Sequence, residues 1–135
     1  MPVPPSACRL QDNPCAAITN LLAFAVDYTI SYYSEAVQDE ILEWPDTLAA
    51  RYIVLTRRIV ALGPNLGEPH TKAFGGGLFE LRLKGADGIA RVFFCTLVGR
   101  RIVMLHCFIK KTGRTPPRER AIAEERMKEV KHANS

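Results

Sequence analysis

A chain of 135 residues is long enough for one domain with a modest single core. Its composition is that of an ordinary soluble globular protein, and no Cys/Cys or Cys/His cluster has zinc spacing, so a structural zinc site is excluded and no metal is expected. The net charge of +4 is unevenly held: residues 1–71 carry four basic and eight acidic side chains, and residues 72–135 fourteen basic and six acidic. A concentrated positive half suits an anionic partner, nucleic acid being the commonest, unless it is simply a solvated surface.

Residues 1–27 begin with a Pro-rich stretch. Cys15 to Val26 fits a short helix, with Asn13 as N-cap and Pro14 at its first position. No basic cluster opens the chain, Asp12 precedes this apolar run, and the run is too short to cross a bilayer. The segment reads as an extension, and the chain as cytoplasmic. Cys8, Cys15, Cys95 and Cys107 then read as thiols in a reducing compartment.

Tyr28 to Tyr33 reads as a first strand. Ser34 is a natural N-cap for a helix from Glu35 to Trp44, with Val37, Ile41 and Trp44 as its apolar stripe. Pro45 ends it. A longer helix follows from Thr47 to Leu62, where Leu48, Tyr52, Leu55, Ile59 and Leu62 recur at helical spacing. Gly63-Pro64 stops it. The two stripes together match the apolar face of a sheet. Residues 63–77 read as a loop without phosphate-loop spacing, leaving His70 and Lys72 exposed.

Leu78 to Ile109 reads as a three-strand meander. A four-residue loop at Gly85–Gly88 sets Arg82 opposite Arg91 and Glu80 opposite Phe93. A two-residue turn at Gly99-Arg100 sets Phe93 opposite His106 and Arg91 opposite Phe108. One face then carries Phe79, Leu81, Leu83, Val92, Phe94, Val103, Leu105, Cys107 and Ile109. The other carries Glu80, Arg82, Lys84, Arg91, His106 and Lys110 among Phe93, Met104 and Phe108. Thr115 and Pro116 open a last helix to Lys131. Its thin stripe of Ile122, Met127 and Val130 suggests a peripheral element. Residues 132–135 form a tail.

This order of elements resembles the RelE/ParE superfamily of type II toxin–antitoxin toxins, and within it the phage-derived HigB-like branch. The residues that carry the likeness are Gly63–His70, Lys72, Gly77–Arg82, Arg91–Phe94, His106–Lys111 and Thr115-Pro116. It covers residues 28–131. The resemblance implies an α+β, RelE-like fold with an N-terminal strand, a two-helix hairpin, a three-strand antiparallel meander and a C-terminal helix. It implies a toxin that cuts mRNA on the ribosome without metal or cofactor. A cognate antitoxin, expected to be of helix-turn-helix type, would neutralise it. Relatives with a catalytic tyrosine or histidine near the C-terminus differ from this chain, in which no tyrosine follows Tyr52 and His132 lies in the tail.

Metal-free RNA cleavage uses the 2′-OH as nucleophile. It needs a base, cations for the developing phosphorane charge, and an acid for the 5′-oxygen. Arg82, Arg91, Lys110 and His106 are the expected catalytic residues, and Lys72, Lys84, Lys111 and Arg114 the expected RNA contacts. Two neighbouring arginines repel unless an anion lies between them; phosphate is the expected anion, Glu80 or a C-terminal carboxylate the competing one. His106 suits acid–base work but is equally suited to a hydrogen bond beneath the last helix. Phe93 and Phe108 read as filler under that helix rather than as a base-stacking platform. Two other classes remain open: a ParE-like gyrase inhibitor without enzymatic activity, and a basic RNA-binding module.

Overall fold

The computed structural model describes residues 27–110 and 116–133. The expected helix at Cys15–Val26, its Asn13 cap, and Thr115, Lys111 and Arg114 lie outside the described residues. The elements are β1 (Thr29–Tyr32), α1 (Glu35–Leu42), α2 (Asp46–Leu62), β2 (Thr71–Gly75), β3 (Leu78–Gly85), β4 (Gly88–Leu97), β5 (Arg101–Lys110) and α3 (Pro117–Ala133). The described residues thus form a mixed α+β fold. Its sheet has five strands in the order β1-β5-β4-β3-β2. β1 runs parallel to β5, and the remaining neighbours are antiparallel.

The second strand corrects the sequence reading, which placed all of residues 63–77 in a loop. β2 is an edge strand whose ladder to β3 pairs Thr71 with Leu81 and Ala73 with Phe79. Backbone bonds hold it, and Thr71 is its one buried side chain, so it shows little apolar alternation. Gly75, Gly76 and Gly77 all have positive φ, which lets the chain reverse tightly into β3.

The β3–β4 register follows the alternation throughout, with Arg82 opposite Arg91 and Glu80 opposite Phe93. β5 follows it from Lys110 back to His106. Then Phe94 pairs with Met104, and Leu105 is left as an extra residue. This bulge reverses the faces expected beyond it. Ile102 and Met104 join the core under α1 and α2, whereas Val103 and Leu105 face α3.

Each face of the sheet therefore carries a core. On the first, Val37, Ile41, Trp44, Leu48, Tyr52, Leu55 and Ile59 pack on Leu81, Leu83, Val92, Phe94, Met104 and Cys107. Ser34 caps α1 by accepting from the Val37 amide at 3.3 Å. Leu62, the last member of the expected stripe, is instead 71% exposed, at the end of α2. On the second face, α3 covers Leu78, Phe93, Cys95, Val103 and Leu105.

α3 is thus no peripheral helix. It approaches through the small, fully buried Ala123, with Met127 and Val130 beside it, which explains its weak apolar stripe. Arg126 Nη1 donates to the Leu105 carbonyl at the bulge, 2.8 Å away. Burying residues such as Phe93 and Leu105 stabilises by about 1.5–3 kcal/mol each, so the second core is a substantial part of the fold.

Candidate functional site

α3 covers only part of the second sheet face. Along β3, Leu78 lies beneath the helix, and Glu80, Arg82 and Lys84 follow in the same direction. Arg91 lies opposite Arg82, and Lys110 opposite Ile89, at the uncovered end. The same end of β3 also lacks a full neighbour. The paired residues of β2 begin at Thr71, opposite Leu81. One further bond, from the Arg82 amide to the His70 carbonyl at 2.8 Å, carries the ladder onto the preceding loop. The Thr71 hydroxyl accepts from the Gly67 amide at 3.0 Å and ties that loop down.

A cavity of about 250 Å³ opens where the strand edge, this loop and α2 meet. Arg51, Pro69, His70, Arg82, Leu83, Lys84, Ile89 and Arg91 line it. Four of the eight are cationic, one is an imidazole, and none is a carboxylate.

The carboxylate nearest the arginine pair is Glu80, only 1% exposed. Its Oε1 accepts from Arg91 Nη1 at 2.8 Å and from Arg82 Nε at 3.2 Å. Arg82 Nη1 also reaches Glu68 Oε1 at 3.2 Å. Arg91 Nε is buried and has no hydrogen-bond partner among the described residues. The anion between the two arginines is therefore Glu80, where phosphate was expected. Burial pushes the Lys110 ammonium below its ordinary range; the nearby Arg91 charge adds to this and Glu80 opposes it. Arg82, Arg91 and Lys110 outnumber the buried carboxylate, so a positive excess remains beside the cavity.

A family model for the phage-derived Gp49-like proteins matches residues 39–128. The chain belongs to this family. The Gp49-like proteins fall among the RelE-like type II toxins, and membership implies an antitoxin partner. No curated protein matches the chain significantly. The matched span contains every residue that lines the cavity.

In this Gp49-like chain the expected site residues divide into groups. Arg82, Lys84 and Arg91 meet at the cavity, and Lys110 interacts with Arg91 and Glu80 nearby. His106 does not line the cavity. Its Nε2 lies 2.6 Å from Glu119 Oε1 of α3, and its ring stacks on Phe108. Phe93 is fully buried between Phe74 and Phe108, so it is no free stacking platform. Lys72 sits on β2 with its ammonium 5.4 Å from the Phe74 ring centre.

Arg51 and His70 are cavity residues that the sequence reading did not assign. Arg51 precedes Tyr52 of the α2 stripe and so lies off the main core face. His70 sits on the loop into β2, and only the tertiary fold brings it to Arg82. Among the described residues no helix is long and apolar enough to cross a membrane.

Proposed function

We propose that this Gp49-like chain is the toxin of a type II toxin–antitoxin system, of the HigB-like kind, and a ribosome-dependent, metal-independent mRNA endonuclease that acts in the cytoplasm. The observation that carries the reading is the basic cavity, lined by Arg82 and Arg91 and by no carboxylate, together with a buried Arg91 Nε that has no hydrogen-bond partner among the described residues. Such a group attracts an anion, and guanidinium forks suit phosphate oxygens.

Glu80 has a positioning role in this reading. It holds two like-charged side chains together on neighbouring strands. The N–H groups that neither it nor Glu68 occupies are left to a phosphate. As the 2′-oxygen attacks phosphorus, negative charge builds on the non-bridging oxygens, and Arg91 and Arg82 oppose it. Lys110 strengthens the local field. Lys84 and Lys72 extend the basic surface along the RNA. The cognate antitoxin, of helix-turn-helix type, would block this face or the route to the ribosome.

One observation favours a second reading. The arginine pair is already partly neutralised by Glu80, and a ParE-like inhibitor that binds gyrase needs no phosphate there. Inducing the full chain in cells and mapping new RNA ends separates the two. Cuts within translated frames support the nuclease. DNA breaks with intact mRNA support gyrase inhibition and overturn the nuclease.

A further inference from the structure

Cleavage of RNA needs a group that takes a proton at neutral pH, and the cavity walls contain few candidates. Arginine stays protonated at every physiological pH, which removes Arg51, Arg82 and Arg91. Lys84 is a cation on the same wall. Glu80 is committed to two arginines behind the cavity. The chain has three histidines. His106 is held by Glu119 under α3, and His132 lies near the end of α3. His70 alone lines the cavity.

The placement of His70 is firm. Its amide donates to the Gly67 carbonyl at 3.0 Å, and its own carbonyl accepts from the Arg82 amide at 2.8 Å. The backbone is thus fixed on both sides of the ring. Among the described residues the ring itself has no hydrogen-bond partner, and the residue is half-buried. A histidine anchored by its main chain, with a free ring at a cationic cavity, differs from one that packs a core.

We infer that His70 is the general base of the cleavage reaction, an assignment that rests on the nuclease reading above. Neutral His70 takes the proton from the 2′-OH as that oxygen bonds to phosphorus. The P–O5′ bond breaks, and O5′ takes a proton from water. The products are a 2′,3′-cyclic phosphate and a 5′-hydroxyl end. The imidazolium then gives its proton to the hydroxide left behind, which restores the enzyme. The charged groups around the ring are Arg51 from α2, Arg82 and Lys84 from β3, Arg91 from β4, and Glu68 on its own loop.

The test is mRNA cleavage on translating ribosomes by the full chain, with His70→Ala and His70→Gln beside it, over the pH range in which imidazole titrates. The wild-type rate should rise with pH and then level off. His70→Ala should lower it by about 10²–10⁴-fold, erase the acidic limb, and regain part of the rate in free imidazole. His70→Gln, which keeps a polar side chain, should stay slow. A His70→Ala protein that cuts at the wild-type rate overturns the assignment and leaves the nuclease reading intact. So does one that slows equally at all pH values without imidazole rescue. A wild-type protein that makes no cuts overturns both.

Discussion

Arg91 Nη1 lies 2.8 Å from Glu80 Oε1 on a diagonal between β4 and β3, and the carboxylate it meets is 1% exposed. Arg82 binds the same oxygen, so one buried carboxylate holds two guanidinium groups. Breaking a buried ion pair by removing one partner leaves an uncompensated charge, at a cost of about 3–5 kcal/mol. Glu80→Gln should destabilise by about 3 kcal/mol, toward the low end, because the Arg82 side chain is 25% exposed and solvent screens it. Urea denaturation measures this. Relative to chloride, sulfate should stabilise the variant more than it stabilises the wild type, because an anion held by the two uncompensated arginines binds only the folded state. Unchanged stability, or an equal sulfate effect on both proteins, would contradict this account.

The two arginines should respond differently to removal. The Arg91 side chain is 10% exposed and that of Arg82 25%. Arg91→Ala therefore combines lost activity with a substantial stability loss. Arg82→Ala should cost only about 1 kcal/mol yet slow cleavage by about 10²–10³-fold, the usual effect of losing one charge-stabilising donor. Thermal melting and RNA-end mapping on the same preparations separate the two effects. Arg82→Lys should restore little activity, because an ammonium lacks the planar fork. A folded Arg82→Ala protein with undiminished cleavage would remove Arg82 from the reaction.

The meander was legible because β3 alternates sharply, β4 is rich in β-forming residues, and the two join at Gly85–Gly88. The length of that turn places Arg82 opposite Arg91. The bulge was not legible: Val103, Met104 and Leu105 are all apolar, and hydrophobicity cannot tell which face each one takes. β2 was hidden because its ladder is backbone chemistry and its side chains are mostly polar or small. At the site, the charge pattern identified Arg82, Lys84 and Arg91. Arg51 and His70 join them only through packing, since they lie on α2 and on a loop that nothing in the local sequence directs toward β3.

Gly85 gives a stability prediction independent of function. A Cβ built there would lie 2.8 Å from Thr47 Oγ1 and 3.2 Å from Leu48 Cδ2, at the first turn of α2. Thr47 Oγ1 is itself engaged, donating to Asp87 Oδ2 at 2.7 Å. The β3–β4 turn and α2 are thus in contact through the absence of a side chain. Gly85→Ala should destabilise by about 1–3 kcal/mol, as overpacking does. Adding Thr47→Ala, which removes the Oγ1 nearest the new Cβ, should recover part of that loss, less what the lost bond to Asp87 contributed. Chemical denaturation of the single and double variants checks this, and a neutral Gly85→Ala would show that the two elements separate freely.

The buried thiols tie stability to alkaline pH. Burial, followed by the charge of Glu40, pushes the Cys107 thiol up to about 12, and burial also raises Cys95. In the unfolded chain both return to the ordinary range, near 8.5. Between that value and the folded one, the folded state holds more protons than the unfolded state. Raising the pH therefore favours unfolding. The contribution of Cys107 is complete below the unfolded-state pKa and is lost progressively as pH rises toward about 12. Cys107→Ala should flatten the alkaline decline in melting temperature, although it also lowers stability at neutral pH by leaving a small cavity. In the native protein both thiols should resist alkylation at mildly alkaline pH and react once urea opens the fold. Rapid labelling of Cys107 in the native state, with melting unchanged, would show that the core under α1 opens far more readily than its packing implies.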